Sequence, residues 1–189
     1  AREVLSHDLL NRFGVRVPRA SYARLYLRMK EDVREYSLGV YTMLEPVDRL
    51  FLRSRYGDAA GSLWKCQTTK QGGEAALTNA VPLPPQVAGM ESYSLDPGKN
   101  YYPTYDFKSS RSNFKNAKQE LETFIGTLNR LNGEAFEKWI VRAMDVDHLL
   151  KRYALHVLLG SWDDYWNNGK NYYLYQDSGK VWHLISEDY

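Results

Sequence analysis

Three consecutive stretches with helical periodicity lie between two groups of predicted strands, and this order limits the fold class more than any other feature of the chain. The helical stretches are residues 113–131, 134–144 and 146–160. In the first of them, Phe124, Leu128 and Leu131 share one face of a helix with 3.6 residues per turn. Strands that cluster before and after a block of helices, instead of alternating with them, are typical of α+β proteins. The sequence therefore predicts an α+β fold.

The predicted strands form one hairpin near each end of the chain. Residues 22–27 and 38–44 make the first hairpin, which follows an amphipathic helix over 4–13. A second helix begins near Val47, with Pro46 placed in its first turn. Residues 171–175 and 181–185 make the second hairpin, joined by a strong turn at Asp177-Ser178-Gly179.

In residues 57–103 few apolar residues recur at the spacing of a helix or a strand, and glycines and prolines are frequent. This pattern predicts a functional loop or an insertion. We therefore divide a single domain into residues 1–56, 57–103 and 104–189. The chain begins without a methionine and ends inside a strand pattern, so we expect a fragment truncated at both ends.

Composition excludes several classes of protein. The 25 Lys and Arg residues are nearly balanced by 23 Asp and Glu residues, which leaves a net charge of +2 and no electrostatic footprint for nucleic acid. No apolar run approaches the roughly 18 residues that a membrane span needs. A single cysteine, Cys66, excludes an internal disulfide framework and a zinc site built on several thiolates.

Polar side chains are densest in the loop at 161–171, between the third helix and the second hairpin. Loops held between rigid elements are where catalytic groups commonly lie. A tight hairpin brings its two ends together, so Asp188 is expected close to Asn171 and to Asp163. Carboxylate and amide oxygens that converge in this way suit Mg²⁺ or Mn²⁺.

The spacing within this loop matches a known arrangement. In protein kinases a catalytic Asp is followed five residues later by a metal-binding Asn, and a hairpin then leads to a second metal-binding Asp. Asp163 and Asn168 have that offset. On spacing alone, the alternative remains open that Asp163 or Asp164 only caps a turn. The segment from Gly39 to Asp48 has the shape of a kinase hinge, and an ordinary turn from a strand to a helix has the same shape.

Four stretches together resemble the spore coat protein H (CotH) kinase family, a group of atypical protein kinases. The first has Arg2-Glu3-Val4-Leu5 and Pro18-Arg19-Ala20-Ser21-Tyr22, and the second has Gly39, Tyr41, Glu45 and Asp48 in a G-x-Y-x-x-x-E-x-x-D pattern. The third is Gly61-Ser62-Leu63-Trp64-Lys65. The fourth joins Trp162-Asp163-Asp164-Tyr165 to Asn171-Tyr172-Tyr173-Leu174-Tyr175. The resemblance spans nearly the whole chain.

This resemblance implies an atypical protein-kinase-like fold, with a small lobe containing strands and a mainly helical second lobe that ends in a β-hairpin. Residues 1–56 would be part of the first lobe and the hinge, and residues 104–189 would be the second lobe. It implies transfer of the γ-phosphate of ATP to Ser or Thr of a protein, with Mg²⁺ or Mn²⁺. An extracellular, cell-surface or spore-coat location is implied as well.

The resemblance also assigns roles by position. Asp163 would be the catalytic residue and Asp188 a metal ligand. Either Asn168 or Asn171 would be the second metal ligand, because the first has the kinase spacing and the second lies in the matching motif. The residues expected around the nucleotide are two acidic residues beside the adenosine and two candidate phosphate-binding lysines: Glu45, Asp48, Lys65 and Lys108.

Two other interpretations stay open at the level of sequence. One is a catalytically inactive family member that serves as a surface or structural binding module, which the truncated ends and Glu187 favour. The other is a pair of glycosidase-like carboxylates, Asp163 and Asp188, working without a metal.

Overall fold

The computed structural model describes residues 2–31, 33–69, 73–88 and 102–188. Along the chain the elements are α1 (Arg2–Arg12), β1 (Ala20–Arg28), β2 (Glu35–Leu44), α2 (Arg49–Tyr56), β3 (Ser62–Cys66), β4 (Tyr105–Phe107), a 3₁₀ turn (Arg111–Asn113), α3 (Phe114–Arg130), α4 (Gly133–Ala143), α5 (Val146–Leu159), α6 (Tyr165–Asn168), β5 (Tyr172–Gln176) and β6 (Trp182–Ser186). Helices and antiparallel strands in two sheets confirm the predicted α+β fold. No described helix is both long and apolar enough to cross a bilayer.

The first hairpin is a separate two-stranded sheet. Strands β1 and β2 pair antiparallel from Ala20 opposite Leu44 to Arg28 opposite Glu35. The register shifts by one residue after Leu25. Large apolar side chains are exposed on both strands, and no residue of either strand is buried.

The second sheet has four antiparallel strands in the order β4-β3-β5-β6. Trp64 at the centre of β3 pairs with Phe107 on one side and Leu174 on the other. The prediction of a loop over 57–103 was therefore wrong at β3, and the C-terminal hairpin does not stand alone. Because β3 is buried on both faces except at the half-buried Lys65, it lacks the alternation that identifies a strand in sequence.

The two faces of this sheet are covered by different helices. One face carries Trp64, Leu174 and Leu184, which pack with residues of α3, α4 and α5 in the main core. The opposite face carries the side chains that pack with α2 in a smaller core: Leu63, Tyr173, Tyr175 and Ile185. The catalytic-loop candidate, residues 161–171, connects α5 to β5 and so joins a helix of the main core to a central strand of the four-stranded sheet.

Local signals set the ends of the helices. The three helices predicted between residues 113 and 160 are confirmed as α3, α4 and α5. Asp48 caps α2, since its Oδ1 accepts hydrogen bonds from Leu50 N at 2.8 Å and Phe51 N at 3.0 Å. Pro46 therefore lies before the cap and not in the first turn. Gly160 ends α5 with a φ of 65°, a left-handed conformation that favours glycine.

Burial of His148 generates a prediction about stability and pH. Its Nε2 accepts a hydrogen bond from Arg16 N at 2.7 Å, and only 8% of the residue is exposed. Burial, followed by the charge of Arg16, lowers the pKa of His148 from 6.5 to about 4. Between pH 6.5 and about 4, His148 therefore binds a proton in the unfolded chain but not in the folded chain. The free energy of unfolding falls as the pH drops through this range.

We expect His148→Gln to reduce this dependence, because the amide oxygen of Gln can accept from Arg16 N and does not titrate. Urea unfolding measures the free energy of unfolding at pH 7 and at pH 5. Between these two pH values the variant should lose about 2 kcal/mol less than the parent chain, because each unit of pKa shift corresponds to about 1.36 kcal/mol. His7 and His156 have pKa values lowered mainly by burial and remain in both proteins. An equal loss in the two proteins would contradict the role of His148.

Candidate functional site

The carboxylate of Asp163 is the centre of the polar loop and is held by three neighbours. Lys170 Nζ lies 2.9 Å from its Oδ1, and the Asn168 amide donates to the same oxygen. Asn171 Nδ2 donates to Oδ2 at 3.2 Å and to the Asp163 carbonyl at 2.9 Å. The side chain remains 41% exposed. Asp163 is therefore fixed in position and still open to a ligand.

These donors keep Asp163 charged. The hydrogen bond from Asn168 lowers the pKa of Asp163 below its ordinary value of 3.8, and Lys170 and Asn171 act in the same direction. A carboxylate with a lowered pKa is a weak proton acceptor but a good hydrogen-bond acceptor. Near neutral pH, this side chain can orient a hydroxyl group more readily than it can keep the proton of that group.

The next residue, Asp164, has a different environment. It is 1% exposed, and its Oδ2 contacts the guanidinium of Arg152 and His156 Nδ1, the latter at 2.7 Å. Its Oδ1 accepts from Tyr165 N at 2.6 Å and caps α6. The sequence left open which of the two aspartates caps a turn, and the structure assigns the cap to Asp164.

Asp164 belongs to a buried polar cluster that joins three elements. Arg152 and His156 come from α5, Asp164 from the loop, and Ser186 from the end of β6. Arg152 Nε donates to the Ser186 hydroxyl, which also lies 3.3 Å from His156 Nε2. Burial raises the pKa of Asp164, but the hydrogen bond with His156 and the charge of Arg152 outweigh it and lower the pKa.

Asp188 reaches the same place from the other end of the hairpin. Glu187 N donates to Asn171 O at 3.0 Å, which ties the residue before Asp188 to the residue before β5. Asp163, Asn171 and Asp188 line one pocket of about 190 Å³. The other residues that line this pocket come from α1 and from the end of α5 with the following loop: Arg2, Ser6, Leu159, Gly160, Ser161 and Trp162.

Charges of both signs lie where α1 meets the pocket, since Arg2 lines it and Glu3 is close enough to Asp188 to be affected by its charge. The pKa of Glu3 is raised by burial and then by the negative charge of Asp188. The charge on this side of the pocket is therefore mixed.

The donor set suits a particular kind of metal site. Within the described parts of the chain there is no cluster of three or more His, Cys, Asp or Glu side chains that could hold an ion by itself. Asp163, Asp188 and the amide oxygen of Asn171 offer two carboxylates and one neutral oxygen. Mg²⁺ is commonly held by one or two carboxylates together with the phosphates of a substrate. The residues therefore fit an ion that arrives with a phosphorylated ligand.

The structure separates the two candidate asparagines. Both donate to Asp163, but only Asn171 lines the pocket with Asp188. Asn168 lies in α6, and its backbone carbonyl accepts a hydrogen bond from the Thr68 hydroxyl at 2.8 Å.

Each candidate lysine is paired with an acidic side chain. Lys65 Nζ lies 2.7 Å from Glu187 Oε1, to which the Tyr173 hydroxyl also donates at 3.1 Å. Lys108 forms an ion pair with the buried Asp106. Lys65 is thus paired with Glu187, the residue next to Asp188, whereas Lys108 directly follows the edge strand β4.

Of the two hinge candidates, Asp48 lines a second cavity and Glu45 does not. Asp48 and Lys108 line a cavity of about 700 Å³ with Leu63 of β3. The Glu45 carboxylate is occupied by Arg19, at 2.7 Å, and by Arg55, at 3.3 Å. Asp48 uses one carboxylate oxygen to cap α2, as described above. Ligand contacts of Glu45 would therefore come from its backbone.

Sequence reasoning missed the residues that support the loop from behind. Gly169 has a φ of 57°, and a Cβ at this position would lie 2.9 Å from the carbonyl carbon of Ala75. Ala75 N donates to Gly169 O at 2.9 Å, and the Tyr172 hydroxyl donates to Ala75 O. A glycine inside a loop gives no sign of such a distant contact. Arg152 likewise reads as an ordinary helix residue until its burial is known.

Comparison with known proteins identifies one family. The family model described as CotH kinase protein matches residues 1–189, which is the whole chain. Comparison with curated proteins gave no match. The family match confirms the resemblance carried by the sequence motifs.

The buried ion pair predicts opposite outcomes for two adjacent substitutions. Asp164→Asn should lower the free energy of unfolding by about 3 kcal/mol, because it leaves the Arg152 guanidinium buried without a counter-charge. Asp163→Asn should change it by less than about 1 kcal/mol, because this side chain is well exposed. Chemical denaturation at pH 7 measures both, and equal values for the two variants would contradict the assignment of the cap.

Gly169 predicts a second pair of variants. Gly169→Ala and Gly160→Ala both place a side chain at positive φ, but the new Cβ meets the Ala75 backbone only at position 169. We expect Gly160→Ala to lower the free energy of unfolding by roughly 1 kcal/mol, from the left-handed conformation alone. Gly169→Ala should lower it by roughly a further 1 kcal/mol or more, because backbone atoms must move. Thermal denaturation compares the two, and similar losses would show that the close approach is unimportant.

Proposed function

The chain belongs to the CotH kinase family, and we propose that it is a metal-dependent kinase that transfers the γ-phosphoryl group of ATP to a Ser or Thr hydroxyl of a protein. The observation that carries this proposal is that Asp163, Asn171 and Asp188 line the same pocket. An extracellular, cell-surface or spore-coat location belongs to the same proposal, because only the family suggests it.

In this proposal Asp163 positions the acceptor hydroxyl. Phosphoryl transfer has a loose transition state that needs alignment and neutralisation of charge more than a strong base. The lowered pKa of Asp163 suits that role, since the carboxylate stays charged and accepts the hydroxyl hydrogen bond. Lys170, Asn168 and Asn171 keep the carboxylate in place without closing it off from the pocket.

Asp188 and the Asn171 amide oxygen would hold the metal. When bound, Mg²⁺ or Mn²⁺ supplies positive charge that neutralises the phosphate oxygens. Asn171 suits this role because its amide nitrogen already donates to Asp163, which turns the amide oxygen away from that bond.

The cavity beside Asp48 is the proposed site of the nucleoside. It is lined by Leu63, and β3 runs from there to Cys66, which pairs with Tyr172 next to Asn171. Three residues of strand cover about 10 Å, a span that the phosphates of a nucleotide can bridge. Lys65 lies on this path and would exchange its contact with Glu187 for a phosphate oxygen. Lys108 lines the cavity itself.

Binding of a nucleotide with a metal tests the proposal directly. We expect ADP or ATP with Mg²⁺ to raise the melting temperature of the chain, because a ligand that binds only the folded state at about 100 times its Kd stabilises it by roughly 2.7 kcal/mol. The shift should disappear in Asp188→Asn. It should persist in Asp163→Asn, which is expected to lose transfer of radioactive phosphate to protein acceptors instead.

Asp147→Asn is the matched control. Asp147 lies in the first turn of α5, about 18 Å along the helix from the end that meets the catalytic loop. This variant should keep both the shift and the transfer. A shift that survives in Asp188→Asn, or that needs no metal, would contradict the metal assignment. No shift with any nucleotide would instead favour the inactive binding module.

A further inference from the structure

Trp162 is the most exposed tryptophan that the structure describes, and it immediately precedes Asp163. It is 63% exposed and lines the pocket that holds Asp163 and Asp188. By contrast, Trp64 and Trp182 are almost completely buried in the core. Trp166, in α6, is 50% exposed but does not line that pocket. An exposed indole at the edge of a reactive carboxylate is the arrangement expected of a contact residue, since tryptophan is enriched where binding energy is concentrated.

The exposure of Trp162 is imposed by its neighbours. Ser161 N donates to His156 O at 2.9 Å, which anchors the chain just before Trp162. Asp164 anchors the chain just after Asp163, through the buried contact with Arg152. Tyr165 then turns inward and packs edge-on against Tyr172, with ring centroids 5.3 Å apart. The backbone is therefore fixed on both sides of Trp162 while its ring faces outward.

The cavity proposed for the nucleoside is separate from the pocket of Asp163. The cavity with Asp48 and Lys108 shares no lining residue with the pocket of Asp163 and Trp162. If the nucleoside occupies the first cavity, the acceptor hydroxyl must approach Asp163 across the rim of the second. Trp162 and Leu159 are the apolar residues of that rim.

We propose that Trp162 is a specificity-determining residue that packs against an apolar side chain next to the acceptor Ser or Thr. This inference rests on the proposed function, because it names the acceptor class of the same site. Asp163, Asp188 and Arg2 provide the charges of the pocket, whereas Trp162 and Leu159 offer apolar surface. An aliphatic residue beside the hydroxyl would cover that surface, and large aromatic side chains contribute strongly when they are covered. A segment with glycine at the same position would leave the indole in water.

Three fluorescein-labelled peptides test the inference by direct binding. Each contains one serine in a glycine-rich background, and the residues flanking the serine are leucine, glycine or lysine. Fluorescence anisotropy with the 189-residue chain should show that the leucine peptide binds about tenfold more tightly than the glycine peptide, a ratio that corresponds to 1.4 kcal/mol. Trp162→Ala should remove that preference, and Trp162→Phe should retain part of it.

Trp166→Ala is the control, because it deletes an exposed indole of the same loop that lies outside the pocket. It should leave the preference for the leucine peptide intact. Equal preferences in Trp162→Ala and the parent chain would overturn the inference, as would tighter binding of the lysine peptide or an equal loss in Trp166→Ala.

Kinetics with the same peptides separate this inference from the proposed function. Trp162→Ala should raise the KM for the leucine peptide about tenfold while kcat and the nucleotide-induced shift in melting temperature change little. Absence of phosphate transfer to every peptide would count against the kinase. The preference in the anisotropy measurement would still decide whether Trp162 selects an apolar residue.

Discussion

The candidate site depends on the buried ion pair between Arg152 and Asp164. A charged pair without solvent access is strongly penalised unless the geometry is good and the remaining polar atoms find partners. Here His156 and Ser186 provide additional contacts, and burial lowers the pKa of His156, so the neutral form of the ring is favoured. The arrangement fixes where α5, the loop and β6 meet. Its value is therefore positional more than energetic.

The same pair explains how two exposed carboxylates come to face one pocket. Asp163 follows Trp162 and precedes the anchored Asp164, and Asp188 comes two residues after Ser186. Each of these two carboxylates is thus within two residues of a member of the buried cluster. Charged groups that must stay available to a ligand cannot anchor themselves by ion pairs deep in the core. The structure assigns anchoring and exposure to separate residues.

Much of this architecture could be predicted from the sequence where the signal is local. The three long helices followed from apolar periodicity, and the meeting of Asp188 with Asn171 followed from the geometry of a hairpin. Strand β3 could not be predicted from alternation, because a five-residue strand that is buried on both faces except at Lys65 looks like an irregular segment. The amphipathic pattern over 4–13 is also a poor guide to burial in α1, where His7 is buried while Leu5 is exposed.

The division of roles between Asp163 and Asp164 was beyond local reasoning for another reason. Both aspartates are polar, adjacent and compatible with a cap, and only the position of α5 decides which one is buried. The support from Ala75 behind Gly169 is equally non-local, since the two residues are far apart in sequence. Features that depend on contacts between distant segments need the fold before they can be recognised. The family motifs located the loop without distinguishing its supports.

Pairing of β3 with β5 has a consequence for the order in which the molecule assembles. Trp64 and Leu174 are neighbours in the sheet but more than a hundred residues apart in the chain. Closing so long a connection is slow compared with forming helices from local contacts. During synthesis, β3 cannot pair with β5 until β5 has been made. Until then the apolar side chains of β3 can be buried only by elements made earlier, such as α2, β4 and the helices that precede β5. The pocket of Asp163 includes Asp188, which follows β6, so it cannot be complete until the residues after β6 have been synthesised.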